Sequence, residues 1–523
     1  MWRPAAFLTV VAASIAAPAL ADPMVRTSAG TVQGVNLHGT SRFLGIPFAA
    51  APVGPLRWQA PQPPARWQGT RKAQAPAPAC YQGAPRQFGP YTPEFLIEGP
   101  VSEDCLYLNV WTPAKTHGKL PVLVYIHGGG FGSGSGTIPI YDGTGLARRG
   151  AIVVTINYRL GVFGFLAHPD LSREGAGTSG NYGLLDMIAA LRWVRANIGA
   201  FGGDAGNVTI AGQSAGAAAV NDLVLSPLAQ GLFERAIAQS GSGMGIGIAT
   251  LAQAERNGMA FADRAGVTGI AALRALDAAT LQRLSDRPPP GAGGAARASS
   301  IGFAPNLDGR VIAADPENGA SKPVASVSFM TGFAADEGLA FGTPDTPAAF
   351  DAYVTTKFGE FAGRILALYP HTDAAQVAGS IRLLARDRYM ASMAMWAEKR
   401  SALSARPIYA YLFDHPYPAA NGKSFGAFHT ADVPYVMGAL RLGGRSFTRA
   451  DDVVSARVQN HWLAFMRTGD PSIPNGQWTP ATPAAAPVMT IGSGAGMQPA
   501  VSSPARYAAL RDFVQAGGRL TLF

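Results

Sequence analysis

The stretch Asn207-Val-Thr-Ile-Ala-Gly-Gln-Ser214-Ala-Gly-Ala places a serine between glycines two residues to either side. That spacing suits a serine nucleophile held on a sharp turn between a strand and a helix. The turn brings the strand and helix backbones close together, so Gly212 and Gly216 must be small. Glycine fills 63 of 523 positions, so the pattern alone says little, and Gly422-Lys-Ser424-Phe-Gly426 matches it equally well. Context separates the two. Strand-forming residues 207–211 precede Ser214 and a helical pattern at 215–225 follows it. Ser424 lies in the loop DHPYPAANGKSFGAF with no strand directly before it. That loop is no phosphate-binding loop either, because Tyr417 stands where its first glycine would be.

A serine that attacks a carbonyl needs donors for the oxygen that becomes negative. His127-Gly-Gly-Gly130-Phe131 follows the apolar run PVLVYI upstream of the serine. Its glycines let backbone N–H groups approach closely, and the expected donors are Gly129, Gly130 and Ala215. A dinucleotide loop does not fit, since Ser133 and Ser135 fall where its last glycine would be. The attack also needs a base. His371, His415, His429 and His461 follow the serine. His461 sits beside Trp462 on an amphipathic helical pattern, which points to packing, and His415 ends a strand, which points to a local hydrogen bond. His429, in a Gly-Ala-Phe-His loop after that strand, is the candidate base. In chain order the acid lies between nucleophile and histidine. Asp336 and Glu337 both lie there, adjacent after the strand 326–332, and both cannot point at one imidazole.

Positioning these groups requires a scaffold. Apolar runs at 121–126, 151–160, 207–211, 234–242, 326–332 and 407–415 read as strands, with helical patterns at 183–198, 215–225 and 456–469. Strands alternating with helices predict an α/β fold with a mostly parallel sheet covered on both faces. Residues 250–285 and 343–405 are helical and alanine-rich, and 286–300 are of low complexity. The simplest organisation is a single domain over 22–523, with helical regions at about 250–320 and 343–405 capping the site.

Hydrophobic residues make up 48% of the chain, ample for a core. The net charge of +9 rests on scattered lysines and arginines, not on the clusters that bind nucleic acid. Residues 1–21 read as a signal peptide: Arg3, an apolar stretch from Ala5 to Ala17, then Ala19-Leu20-Ala21 as a cleavage site. The expectation is export, to the periplasm or beyond, with no membrane span. In an oxidising compartment Cys80 and Cys105 are expected to form a disulfide. They are too few for a metal site, and no metal or cofactor is expected.

Further motifs carry a resemblance. FLGIPFAAAPVGPLRW (43–58), SEDCLYLNVWTP (102–113), HGGGF (127–131), NYRLGVFGFL (157–166), residues 180–217 around the serine, AIAQSGS (236–242), DEG (336–338) and GAFHTADVPYVMG (426–438) are similar to type-B carboxylesterases, of the carboxylesterase–lipase–cholinesterase family in the α/β-hydrolase superfamily. The resemblance implies a serine carboxylesterase working through an acyl-enzyme. It implies Glu337 as the acid, His429 as the base, Ser240 as a supporting hydrogen-bond partner near the acid, and a Cys80–Cys105 disulfide. Two departures bear on the substrate. Gln213 stands where many relatives carry a glutamate, and no Trp lies between Cys80 and Cys105, where cholinesterases have one for cation–π contact. Neutral or anionic esters are therefore expected rather than choline esters. Asn207-Val-Thr209 is a glycosylation sequon by pattern, but its place on the strand before the turn favours the core.

Overall fold

The computed structural model describes residues 21–115, 118–243, 247–286, 302–315, 326–338, 343–492 and 494–521. The expected signal peptide, except its last residue, and the low-complexity segment 286–300, except its first, lie outside the described residues.

PVLVYI is apolar throughout and IVVTI is apolar apart from Thr155, which suits strands covered on both faces. They join an 11-stranded sheet. Its strands are β1 (Val35–Leu37), β2 (Thr40–Pro47), β3 (Tyr107–Pro113), β4 (Leu120–Ile126), β5 (Ile152–Ile156) and β6 (Gly203–Gln213). β7 (Arg235–Gln239), β8 (Ser328–Ala334), β9 (Ile408–Phe413), β10 (Val488–Ile491) and β11 (Ala495–Gln498) complete it. In space the order is β11-β10-β9-β8-β7-β6-β4-β5-β3-β2-β1. Every pairing from β5 across to β10 is parallel, and the outer pairings are antiparallel. This is the mostly parallel α/β-hydrolase sheet that the sequence leads one to expect.

Alternate side chains of the sheet serve two cores. Val122, Val124 and Ile126 pack with Leu184, Met187, Leu191 and Val194 of helix α1 (Tyr182–Asn197) and Val220 and Leu223 of α2 (Ala215–Leu225). Leu123, Tyr125 and Val153 face the opposite core. There the last long helix, Arg449–Thr468, contributes Val458, Trp462 and Phe465. The α1 contacts recur at helical spacing, while Arg192 and Arg195 stay exposed on its other face.

Several element bounds differ from expectation, and two of the differences have a visible cause. The helix expected at 456–469 begins at Arg449, because Thr448 and Asp451 form a reciprocal capping box that stabilises a polar first turn. β5 stops at Ile156, short of the 160 expected, where the polar Asn157 and Arg159 follow. Asn157 instead accepts a hydrogen bond from Gly136 N–H, and Arg159 pairs with the fully buried Asp186 of α1.

The two helical regions occupy different places. α3 (Leu251–Ala265), α4 (Gly269–Ala275) and α5 (Ala278–Ser285) build a separate apolar cluster with Trp58, Phe163 and Leu166. No residue of these three helices lines the large cavity described below. α6 (Pro347–Phe358) and α7 (Ala374–Ser401) both contribute to its wall. Cys80 and Cys105 are bonded, tying the segment before β3 to itself across a separation of 25 residues. Replacing both cysteines by serine should lower stability by about 3 kcal/mol through the loop entropy returned to the unfolded chain, read as a lower urea midpoint.

Candidate active site

The parallel strands end on one edge of the sheet, and the candidate residues follow those ends. Gln213 pairs in register with Gln239 of β7, and Gly212 with Ile126 of β4. Ser214 then adopts φ 58° and ψ −123°, a strained conformation for a residue with a side chain. Its N–H donates to Gln239 O at 2.9 Å, and its own carbonyl receives the Ala218 N–H at 3.0 Å as α2 begins. The flanking glycines are forced by contact. A Cβ on Gly212 would sit 2.4 Å from Gly216 O, and one on Gly216 would sit 2.1 Å from Ile126 O.

The glycine loop after β4 lies against this turn. A Cβ on Gly128 would meet Gln213 O at 2.7 Å and the Ser214 Cβ at 3.1 Å. Gly129 and Gly130 have φ of 113° and 62°, and their N–H groups find no acceptor among the described residues. Ala215 is the first residue of α2, so its N–H also has no partner within the helix. His127 stacks on Tyr158 with ring centres 4.4 Å apart, and its burial lowers the imidazole to about 4, leaving it neutral.

Glu337 follows β8 and is 1% exposed. Its Oε1 accepts from Ser240 Oγ at 2.5 Å and from Ala334 N–H at 2.7 Å, while Oε2 meets His429 Nδ1. Asp336 turns the other way, to an ion pair with Arg382 at 2.9 Å and the Ala427 N–H at 2.9 Å. His429 lies on the loop after β9, and Tyr91 OH donates to its carbonyl at 2.8 Å. Its Nε2 lies 3.0 Å from Gln213 Nε2. With the amide donating there and Nδ1–H facing Glu337, the lone pair sits at Nε2. Ser214, Gln213, His429, Gly129 and Gly130 share one cavity of about 1060 Å³, much of it apolar and aromatic, with Phe95, Ile138 and Tyr141 in its wall.

The remaining candidates lie elsewhere. Ser424 sits on an exposed loop, where its Oγ accepts from Gly426 N–H. His371, His415 and His461 bond to Asp351, Asp451 and Pro471 respectively. The His415 partner is on the last long helix rather than local. Among the described residues no cluster of His, Cys, Asp and Glu could hold a metal ion, and no helix is long and apolar enough to cross a membrane.

Sequence reasoning missed a second buried carboxylate. Asp432 accepts from Gln239 Nε2 at 2.8 Å and from Tyr411 OH at 3.0 Å, and Tyr125 OH donates to Gln239 at 3.2 Å. Burial raises Asp432 to about 6; the Glu337 charge adds to this, and the Gln239 and Tyr411 bonds oppose it. Its position three residues after His429 was the available signal. The direct bond from Gln213 to His429 was also missed, because it depends on how β6 ends beside the histidine loop.

Such a set can pass a hydroxyl proton to an imidazole, balance the resulting charge with a carboxylate, and offer N–H groups to an oxyanion. Comparison with known proteins agrees in kind. A sequence model of the carboxylesterase family matches residues 21–505. The fumonisin B1 esterase of Sphingopyxis macrogoltabida is 38% identical over 495 residues, covering 91% of this chain and 88% of that protein. The para-nitrobenzyl esterase of Bacillus subtilis (strain 168) is 35% identical over 480 residues, covering 87% and 92%. A solved PNB esterase structure superposes with a TM-score of 0.76 at 33% identity, covering 93% of this chain and 99% of that one. By sequence along nearly its whole length and by fold, the chain belongs to the carboxylesterase family and is a carboxylic ester hydrolase.

Proposed function

We propose that the protein is an exported serine esterase in which Ser214, His429 and Glu337 carry out the reaction. Ser214 Oγ attacks the ester carbonyl as His429 Nε2 takes its proton. The N–H groups of Gly129, Gly130 and Ala215 bind the oxyanion, and His429 returns the proton to the leaving alcohol. Water activated by the same histidine then releases the acid. Glu337, held by Ser240 and Ala334, orients the imidazole and offsets its charge. The observation that carries this reading is the convergence of a strained serine, a glycine loop and a Glu337-bound histidine on one cavity. Export rests on the leader-like residues 1–21, and the Cys80–Cys105 bond suits an oxidising compartment. Residues 22–523 form one catalytic unit in this reading, and no cofactor takes part.

Ser214→Ala should reduce hydrolysis of para-nitrophenyl esters by at least about 10⁴-fold while near-UV dichroism stays that of the parent. A variant as fast as the parent would sink the mechanism. Neutral or anionic esters fit the site better than cationic ones, because Gln213 leaves no fixed negative charge beside the serine. Gln213→Glu should raise the rate on choline esters relative to neutral esters several-fold; an unchanged ratio in kcat/KM would refute the charge argument.

Two buried carboxylates stand near His429, and their donors distinguish them. Glu337 takes three, whereas Asp432 takes two and keeps Oδ1 without a partner among the described residues. Asp432 stands at about 6 when folded against 3.8 ordinarily. Between those values the folded state holds a proton that the unfolded chain has released. Its contribution to stability is full below the lower value and is lost as pH rises through the upper one, a swing on the order of 3 kcal/mol. Asp432→Asn removes that swing. Relative to the parent, its thermal midpoint should rise between about pH 4 and about pH 7. A constant difference between the two proteins would contradict this.

A further inference from the structure

The proposed chemistry leaves one wall of the cavity unused. Tyr353 and Lys357 stand one turn apart on α6, and Arg388 lies on α7; all three line the cavity that holds Ser214 and His429. Arg388 is only 2% exposed. Its guanidinium donates to Tyr353 OH at 2.5 Å and to Thr521 O at 2.6 Å, and packs over the Tyr389 ring. Its Nε–H has no acceptor among the described residues, and no carboxylate pairs with it there. Other buried arginines differ. Arg57, Arg159 and Arg445 meet Glu103, Asp186 and Glu94. Arg400, which also lacks a carboxylate among the described residues, packs on Phe329 and Trp396 outside the cavity.

An arginine keeps its charge when buried, so a site of this kind holds a positive potential without a counter-ion. Lys357 adds a second cation beside it, half-buried and therefore within reach of a ligand, with its Nζ 5.7 Å from the Tyr353 ring centre. Burial, with the Arg388 charge adding to it, lowers that ammonium to about 8, so each cation raises the cost of the other. Arg86 and Arg519 are exposed and also line the cavity, and no Asp or Glu is among its described lining residues. An anion arriving here would relieve like-charge repulsion rather than compete with a built-in carboxylate.

We propose that Lys357 and Arg388 form an anion subsite in the catalytic cavity, and that the ester hydrolysed by this protein carries a free carboxylate. This rests on the assignment of ester hydrolysis to the same cavity. Arg388 supplies the fixed field, and Lys357 is the group that meets the carboxylate. The reaction itself is unchanged, and the subsite acts by holding the substrate.

The test compares matched esters with the purified protein. On the acyl side, mono-para-nitrophenyl esters of dicarboxylic acids from butanedioic to decanedioic are set against para-nitrophenyl alkanoates of equal length. On the alcohol side, acetates of hydroxy acids are set against acetates of alkanols. At least one charged series should be preferred in kcat/KM by about tenfold, mainly through KM, with a preference that weakens as salt is added. Lys357→Gln should remove most of that preference, and Lys357→Arg should restore it. Arg388→Gln should do as Lys357→Gln does if it folds; Lys357→Gln, at a half-buried position, keeps the test decisive if it does not. Equal turnover within every pair, or a preference that survives Lys357→Gln, overturns the subsite while leaving the hydrolase reading intact. Silence toward every ester, charged and neutral, would overturn the catalytic reading itself and the subsite with it.

Discussion

Gly216 has no room for a side chain, because its Cα faces the carbonyl at the end of the neighbouring strand β4. Everything at the site depends on that approach. α2 can start directly after β6 only if two backbones touch, and Ser214 is the residue left in the strained bend between them. Such a conformation costs on the order of 1–3 kcal/mol and persists only where the surroundings over-determine it. Here β6 is paired on both sides, with β4 and with β7, and lies between two apolar cores. An edge strand could not hold the bend in this way. The same parallel arrangement places the glycine loop, Ser240, Glu337 and the His429 loop after the ends of adjacent strands, the edge where open α/β sheets place their ligands.

Distance in sequence is bridged by register. His429 Nδ1 and Glu337 are 92 residues apart, and Gln213 and His429 are 216 apart. They meet because Gln213 pairs with Gln239, Gln239 with Gly332, and Ala334 with Phe413. Shifting one strand by one residue would turn these side chains to the other face of the sheet. The packing of both sheet faces that fixes register is therefore also what assembles the polar site.

The sequence made the nucleophile legible through local context, since a strand before and a helix after are properties of neighbouring residues. Ser424 had the glycines and lacked the strand, and it lies on an exposed loop. The acid was not legible from residue type. Asp336 and Glu337 differ by one methylene, and only the turn after β8 sends one to Arg382 and the other to His429. Asp432, Gln239 and Tyr125 escaped because each is an ordinary core position until the sheet brings them together. The early start of the Arg449–Thr468 helix was readable in Thr448-x-x-Asp451, a short polar signal that precedes the apolar stripe. The separation of the two helical regions, one against Trp58 and Phe163 and the other against the cavity, has no local signal at all.

The electrostatics of the cavity make opposing demands. A positive wall favours an anionic substrate and the developing oxyanion, but disfavours the imidazolium that forms on His429. Coulombic interaction falls with distance, so a hydrogen-bonded partner outweighs charges that do not touch the ring. Glu337 is in contact with His429 and buried, and its other oxygen is held by Ser240 and Ala334. Arg388 on the opposite wall donates instead to Tyr353 OH and to the Thr521 carbonyl. A neutral Gln213 completes this arrangement. Its side chain lies beside Nε2 without adding a charge that would cancel the positive wall. A glutamate at 213 would support the imidazolium from a second side, but it would also set a negative charge where a carboxylate-bearing ester has to lie.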